Sequence, residues 1–159
     1  IMYTPQILED LQEYRKAPVV DERALPSFYA LASQIEKQYL DVLRTGLKVF
    51  YVNYDPYNDL EEMTKDIKRG LLKISQLHNV HPLFTKEQNL RFRAIHDYAH
   101  YSIQADFSLE GEYRTYLEQS RHCLASSVPA LYTEIVLQAS HMVYFGEFPI
   151  QKLFTRRTV

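Results

Sequence analysis

Two histidines, His96 and His100, stand four residues apart in the segment RFRAIHDYAHYSIQ (residues 91–104), with Asp97 between them. Residues four apart share one face of an α-helix, so both imidazole rings can reach a single ion. Imidazole and carboxylate groups are ligands that zinc, iron and manganese accept. The spacing therefore predicts a helical face that binds a divalent metal, with Asp97 as a further ligand or as a group that orients a ring N–H.

The two segments that follow carry more groups of the same kind. Glu112 and His122 lie on the first, and Glu134, Gln138 and His141 fall at i, i+4 and i+7 on the second, which is apolar on nearly every side. A buried polar group without a partner costs roughly 1–3 kcal/mol, so these groups are expected to act together. The metal ligands predicted first are His96, His100, His122 and Glu134, with Glu112 and His141 next and Asp97 as above.

Arg93 continues the line of His96 and His100 one turn earlier, and Asn89 extends it by another turn. A guanidinium at that place can pair with a carboxylate or hold an anionic substrate. The predicted catalytic groups are Glu112 and Glu134, as bases, together with Arg93.

Apolar residues recurring at three and four predict the helices that must position these groups. They cover residues 27–45, 59–74, 86–104, 110–124 and 128–145, after a short helix near the beginning of the sequence. Leu47–Tyr54 is the one strand-like segment, and it has no evident partner unless it pairs across a homodimer. We therefore predict an all-α bundle of five to six helices with at most one short strand, forming a single domain over residues 1–159 with its polar site in 86–145.

Composition narrows the functional class. The net charge of −2 and the pI near 6.3 argue against a large nucleic-acid-binding surface, and the single Cys123 excludes an internal disulfide and a cysteine zinc cluster. No apolar run approaches the roughly 20 residues needed to span a bilayer. The expectation is a cytoplasmic, soluble protein that acts on a small molecule rather than on a membrane.

The runs NLRFRAIHDYAHY, FSLEGEYRTY, RHCL and ALYTEIVLQASHMVYFGEFPIQKLF resemble a diverse, poorly characterised family of small helical proteins from bacteriophages and bacteria. The matching positions are Arg91, Phe92, Arg93, His96, Asp97, His100, Gly111, Glu112, His122, Glu134 and Gln138. This similarity covers about the C-terminal 70 residues. It implies a shared polar site rather than a particular reaction.

Three functions fit these observations. The first is a metal-dependent hydrolase that uses metal-activated water, with Glu134 or Glu112 as base; the His96-Asp97 pair also resembles HD-type phosphohydrolases, in which His78 or His81 would be the upstream histidine. The second is a non-haem iron or di-metal oxidoreductase in a ferritin-like or haem-oxygenase-like bundle. The third is a non-enzymatic phage accessory protein whose polar groups form a buried hydrogen-bond network.

Overall fold

Helices make up most of this protein, as predicted. The computed structural model describes residues 4–157, so the ends of the predicted 1–159 domain, residues 1–3 and 158–159, lie outside the described residues. The helices are α1 (Thr4–Lys16), α2 (Leu25–Leu43), α3 (Leu60–Lys68), α4 (Lys86–Ile103), α5 (Leu109–Ser120), α6 (Val128–Tyr132) and α7 (Gln138–Phe145). Short 3₁₀ turns lie at Glu22–Ala24 and Ala125–Ser127, and a π-helical turn, Thr133–Leu137, joins α6 to α7.

Helix α4 is central to the site, and its start is set locally. The hydroxyl of Thr85 accepts from the backbone N–H of Gln88, and the Gln88 side chain accepts from the N–H of Thr85, which is a complete capping box. Helix α4 packs against α2 on one side and α5 on the other. The apolar stripe of α2, including Phe28, Leu31 and Ile35, is buried in the common core. These contacts fix α4 in the middle of the bundle.

A small parallel sheet replaces the end of one predicted helix. The sequence predicted continuous helix over residues 59–74, but α3 ends at Lys68 and Gly70 adopts a φ of 87°. Residues Leu71–Ser75 then form β2, which pairs in parallel with β1 (Lys48–Val52) from Lys48↔Leu71 to Val52↔Ser75. The strand-like segment thus finds its partner within the chain, across the α3 crossover, and the sheet does not require a dimer.

The segment after α7 returns to α1. Leu153 forms an isolated parallel bridge with Val20, and the ammonium group of Lys152 donates to the backbone carbonyls of Tyr14, Arg15 and Ala17. Lys152 therefore caps the C-terminal end of α1, where backbone carbonyls lack the full set of helical partners. Within the described residues, no helix combines the length and the apolar character needed to cross a membrane.

Candidate metal centre

His96, His100 and Glu112 form a compact cluster, in which one potential ligand atom from each lies within 4.8 Å of the other two. Nε2 of His96 is 2.9 Å from Oε1 of Glu112, and Nε2 of His100 is 3.1 Å from Oε2 of the same carboxylate. The two Nε2 atoms are 3.1 Å apart. Helix α4 supplies both rings through their four-residue spacing, and the first turn of α5, capped by Ser108, supplies the carboxylate.

The outer nitrogens of the two rings are held by other groups. Nδ1 of His96 is 2.6 Å from Oε1 of Gln119, and Nδ1 of His100 is 2.9 Å from the carbonyl oxygen of Ala105 and 3.2 Å from the hydroxyl of Thr115. Amide and peptide oxygens only accept hydrogen bonds, so each ring carries a proton on Nδ1 and directs Nε2 at the carboxylate. Metal-binding histidines are usually oriented by such an outer hydrogen bond.

Electrostatics couple the three groups. Burial opposes a charge on His96, but the carboxylate of Glu112 outweighs it and raises the pKa of His96. Burial likewise opposes ionisation of Glu112, yet the facing imidazoles of His96 and His100 hold its pKa well below the usual range. Without a metal the cluster is therefore an ion pair closed by a proton, and a divalent cation would have to displace that proton.

The cluster opens into a cavity of about 650 Å³. Asp97 and Arg93 also line this cavity. Asp97 is half-buried, and burial raises its pKa to about 6, although the neighbouring His96 favours the ionised form. Asp97 thus faces the same space as the cluster without belonging to it.

Glu134 lines the same cavity but pairs with a different histidine. Nδ1 of His81 accepts from the backbone N–H groups of Leu83 and Phe84, so its Nε2–H donates to Oε2 of Glu134 at 3.2 Å. The side chains of His81 and Glu134 are 0% and 3% exposed. Glu134 lies in the π-helical turn, a feature frequent at functional sites.

Two predicted ligands, His122 and His141, lie outside the cluster. His122 lies beyond the end of α5, is exposed, and has its Nε2 3.1 Å from Oε2 of Glu118. His141 is buried, but its Nδ1 contacts the carbonyl oxygen of Glu147 at 2.8 Å. The π turn inserts an extra residue after Glu134, and this shifts His141 from the line that a regular α-helix would have given it.

Arg93 has a structural use that its position in the sequence did not indicate. Its Nη1 donates to the carbonyls of Ser75 and Leu77, each at 2.7 Å, and its Nη2 donates to the carbonyl of His78 at 2.9 Å. The guanidinium therefore holds the loop that follows β2. Its two terminal nitrogens are already engaged by the protein.

Sequence reasoning did not identify the contacts of two groups of the site. Gln119 lies seven residues after Glu112, a spacing that puts both on one helical face and could have identified it. His81 was named in the sequence analysis only as a possible upstream histidine of an HD-type site, and no local pattern links it to Glu134, 53 residues later.

Comparisons of this chain with protein-family models, with curated proteins and with solved structures find no match. The geometry of the cluster and its cavity is therefore the basis for the function proposed below.

Proposed function

We propose that the protein is a metal-dependent hydrolase with a mononuclear site at His96, His100 and Glu112. The supporting observation is the convergence of two Nε2 atoms on one carboxylate while both Nδ1–H groups are engaged elsewhere. Two imidazoles and one carboxylate form a ligand set of hydrolytic zinc enzymes, which keep a further position for water. Here that position would face the cavity that the cluster lines.

Glu134 is the base in this proposal. A bound divalent ion would lower the pKa of a water molecule and supply a nucleophile at neutral pH. Glu112 is used as a ligand, which leaves Glu134 as the buried carboxylate in the cavity wall whose orientation is held by a partner, the Nε2–H of His81. An HD-type arrangement is less well supported, because Asp97 is not among the three converging groups.

A non-haem iron oxidoreductase is the second candidate, because the same set of two histidines and one carboxylate binds Fe(II) in oxygenases. A di-metal site is less favoured, since the candidate group found in the described part of the chain contains a single carboxylate.

The hypothesis of a non-enzymatic protein is favoured by a different observation: among the described residues, no buried side-chain nitrogen or oxygen lacks a hydrogen-bond partner. A network that satisfies itself in this way could serve the fold alone.

Zinc titration of chelator-treated protein separates these functions. We expect one zinc per chain in the wild type and loss of binding in His96→Ala and Glu112→Ala, with circular dichroism to verify folding. His122→Ala is the matched control, because it removes a histidine that also contacts a glutamate at 3.1 Å, but at the surface. A wild type that binds neither zinc, manganese nor iron, together with a His96→Ala variant that does not fold, would favour the structural network.

The reaction is tested on the loaded protein. Zinc-loaded wild type should hydrolyse activated esters, and Glu134→Gln should abolish hydrolysis while retaining zinc. An iron-loaded protein that consumes oxygen, combined with an inert zinc form, would instead favour the oxidoreductase.

A further inference from the structure

Carboxylates outnumber cationic side chains in the wall of the cavity. Asp55, Asp97, Glu112 and Glu134 line the cavity, whereas Arg93 is the only lysine or arginine among the described residues that do so. Three of the five guanidinium N–H groups of Arg93 already donate to backbone carbonyls, so this one cation is largely committed to the protein and faces four carboxylates in the wall. Even with a divalent ion at the cluster, the carboxylates would outnumber the positive charges.

The rim of the same cavity is apolar and open to solvent. Phe107, Met142, Val143 and Phe148 line it, with exposed fractions from 36% to 59%. Exposed apolar groups clustered around a polar floor are typical of ligand sites, where an apolar part of the ligand covers them. The cavity thus offers two different surfaces to one occupant.

We propose that this cavity takes an amine-bearing amphiphile, whose positively charged end faces the carboxylates and whose apolar segment lies against the Phe107–Met142–Val143–Phe148 rim. This amphiphile would be the substrate class of the hydrolase proposed above, and its role as a substrate rests on that proposed function. The binding preference itself follows from the wall and does not require a metal. It replaces the anionic substrate suggested by the position of Arg93 in the sequence.

Calorimetry with chelator-treated protein tests the preference directly, using hexylammonium, ethylammonium and hexyl phosphate as probes. We expect hexylammonium to bind at least about tenfold more tightly than hexyl phosphate, because opposite charges attract in a partly buried site. Hexylammonium should also bind more tightly than ethylammonium, by up to about fourfold for each buried methylene. Equal or tighter binding of hexyl phosphate would overturn the proposal.

Variants test whether the apolar rim binds the alkyl chain and whether the carboxylates bind the ammonium group. Phe148→Ser should weaken hexylammonium binding and leave ethylammonium unchanged, whereas Val80→Ser, a control 74% exposed and outside the cavity lining, should change neither. Glu134→Gln keeps an acceptor for His81 while removing one charge, so it should weaken hexylammonium and strengthen hexyl phosphate. The proposal would also be rejected if Glu134→Gln left both affinities unchanged, or if Val80→Ser weakened hexylammonium binding as much as Phe148→Ser.

The two proposals fail separately. If the wild type binds no metal but prefers hexylammonium, the hydrolase is rejected and the inferred occupant is retained. If zinc binds at the cluster and hexyl phosphate is preferred in the metal-free protein, only the inferred occupant is rejected.

Discussion

Gln119 offers a test of the metal centre that leaves all three ligands in place. Its Oε1 lies 2.6 Å from Nδ1 of His96, and the residue is 5% exposed. Gln119→Leu keeps a side chain of similar size but removes the acceptor that orients the ring. Loss of such an outer contact usually lowers metal affinity about 10- to 100-fold, which corresponds to about 1.4–2.8 kcal/mol.

The short distance and the burial of this contact place the expected effect of Gln119→Leu in the upper half of that range. Gln119→Glu should bind zinc at least as tightly as the wild type, because a carboxylate remains an acceptor and makes the imidazole a stronger ligand. If the contact acts through His96, Gln119→Leu therefore weakens zinc binding whereas Gln119→Glu does not.

Competition with a chromophoric zinc chelator measures these affinities. Gln38→Leu is the control, because Gln38 lines the same small cavity of about 260 Å³ as Gln119 and contacts Cys123 rather than His96. A folded Gln119→Leu variant whose zinc Kd stays within about twofold of the wild type would refute the reasoning.

Three further predictions concern stability and its link to the site. Gly111→Ala should lower the melting temperature and abolish zinc binding, because the new Cβ would lie 2.0 Å from the carbonyl oxygen of Asp106 and would displace the turn that carries Glu112. Lys152→Met should lower the free energy of unfolding in urea by about 1–3 kcal/mol, because it removes the ammonium donor from the carbonyls of Arg15 and Ala17 at the end of α1. Burial opposes ionisation of Asp66, but hydrogen bonds from a neighbouring arginine and tyrosine lower its pKa. Its stabilising effect should be complete above the pKa of an unfolded aspartate, about 3.9, and be lost as the pH falls through the lower folded-state pKa, as pH-dependent unfolding of Asp66→Asn and wild type would show.

Controls for these variants lie close to each site. Gly46→Ala also replaces a glycine at a helix end, but its Cβ would meet nothing within 4 Å, so its cost is limited to backbone strain at a φ of 92° and zinc binding should be retained. Lys16→Met removes an exposed lysine from the same end of α1 and should change stability little. Equal losses in Lys152→Met and Lys16→Met would contradict the capping role of Lys152.

Local patterns in the sequence predicted the elements that carry the site. Apolar residues recurring at three and four predicted a helix over residues 86–104, and α4 covers Lys86–Ile103. The four-residue spacing of His96 and His100 then placed both rings on one side. These features depend on the period of the helix over a few turns, so the sequence alone is sufficient to predict them.

Local patterns did not predict the strand pairing or which side chains of different helices meet. Leu71 and Ile74 fit a helical period as well as a strand, and the positive φ of Gly70 together with pairing to β1 selected the strand. Glu112 rather than His122 joins the histidines because Glu112 lies in the first turn of α5, which packs on α4, whereas His122 lies past the end of α5, which the sequence predicted to run to residue 124.

The pairing of His81 with Glu134 depends on tertiary structure in the same way, since it needs a loop and a π turn 53 residues apart to meet. The sequence by itself determined that His96 and His100 share one face of a helix and that Glu134 lies on a buried apolar segment, because both follow from the local apolar pattern and the period of the helix. Only the packing of the helices decided which of those groups face one another, because burial free energy is shared among contacts distant in the chain.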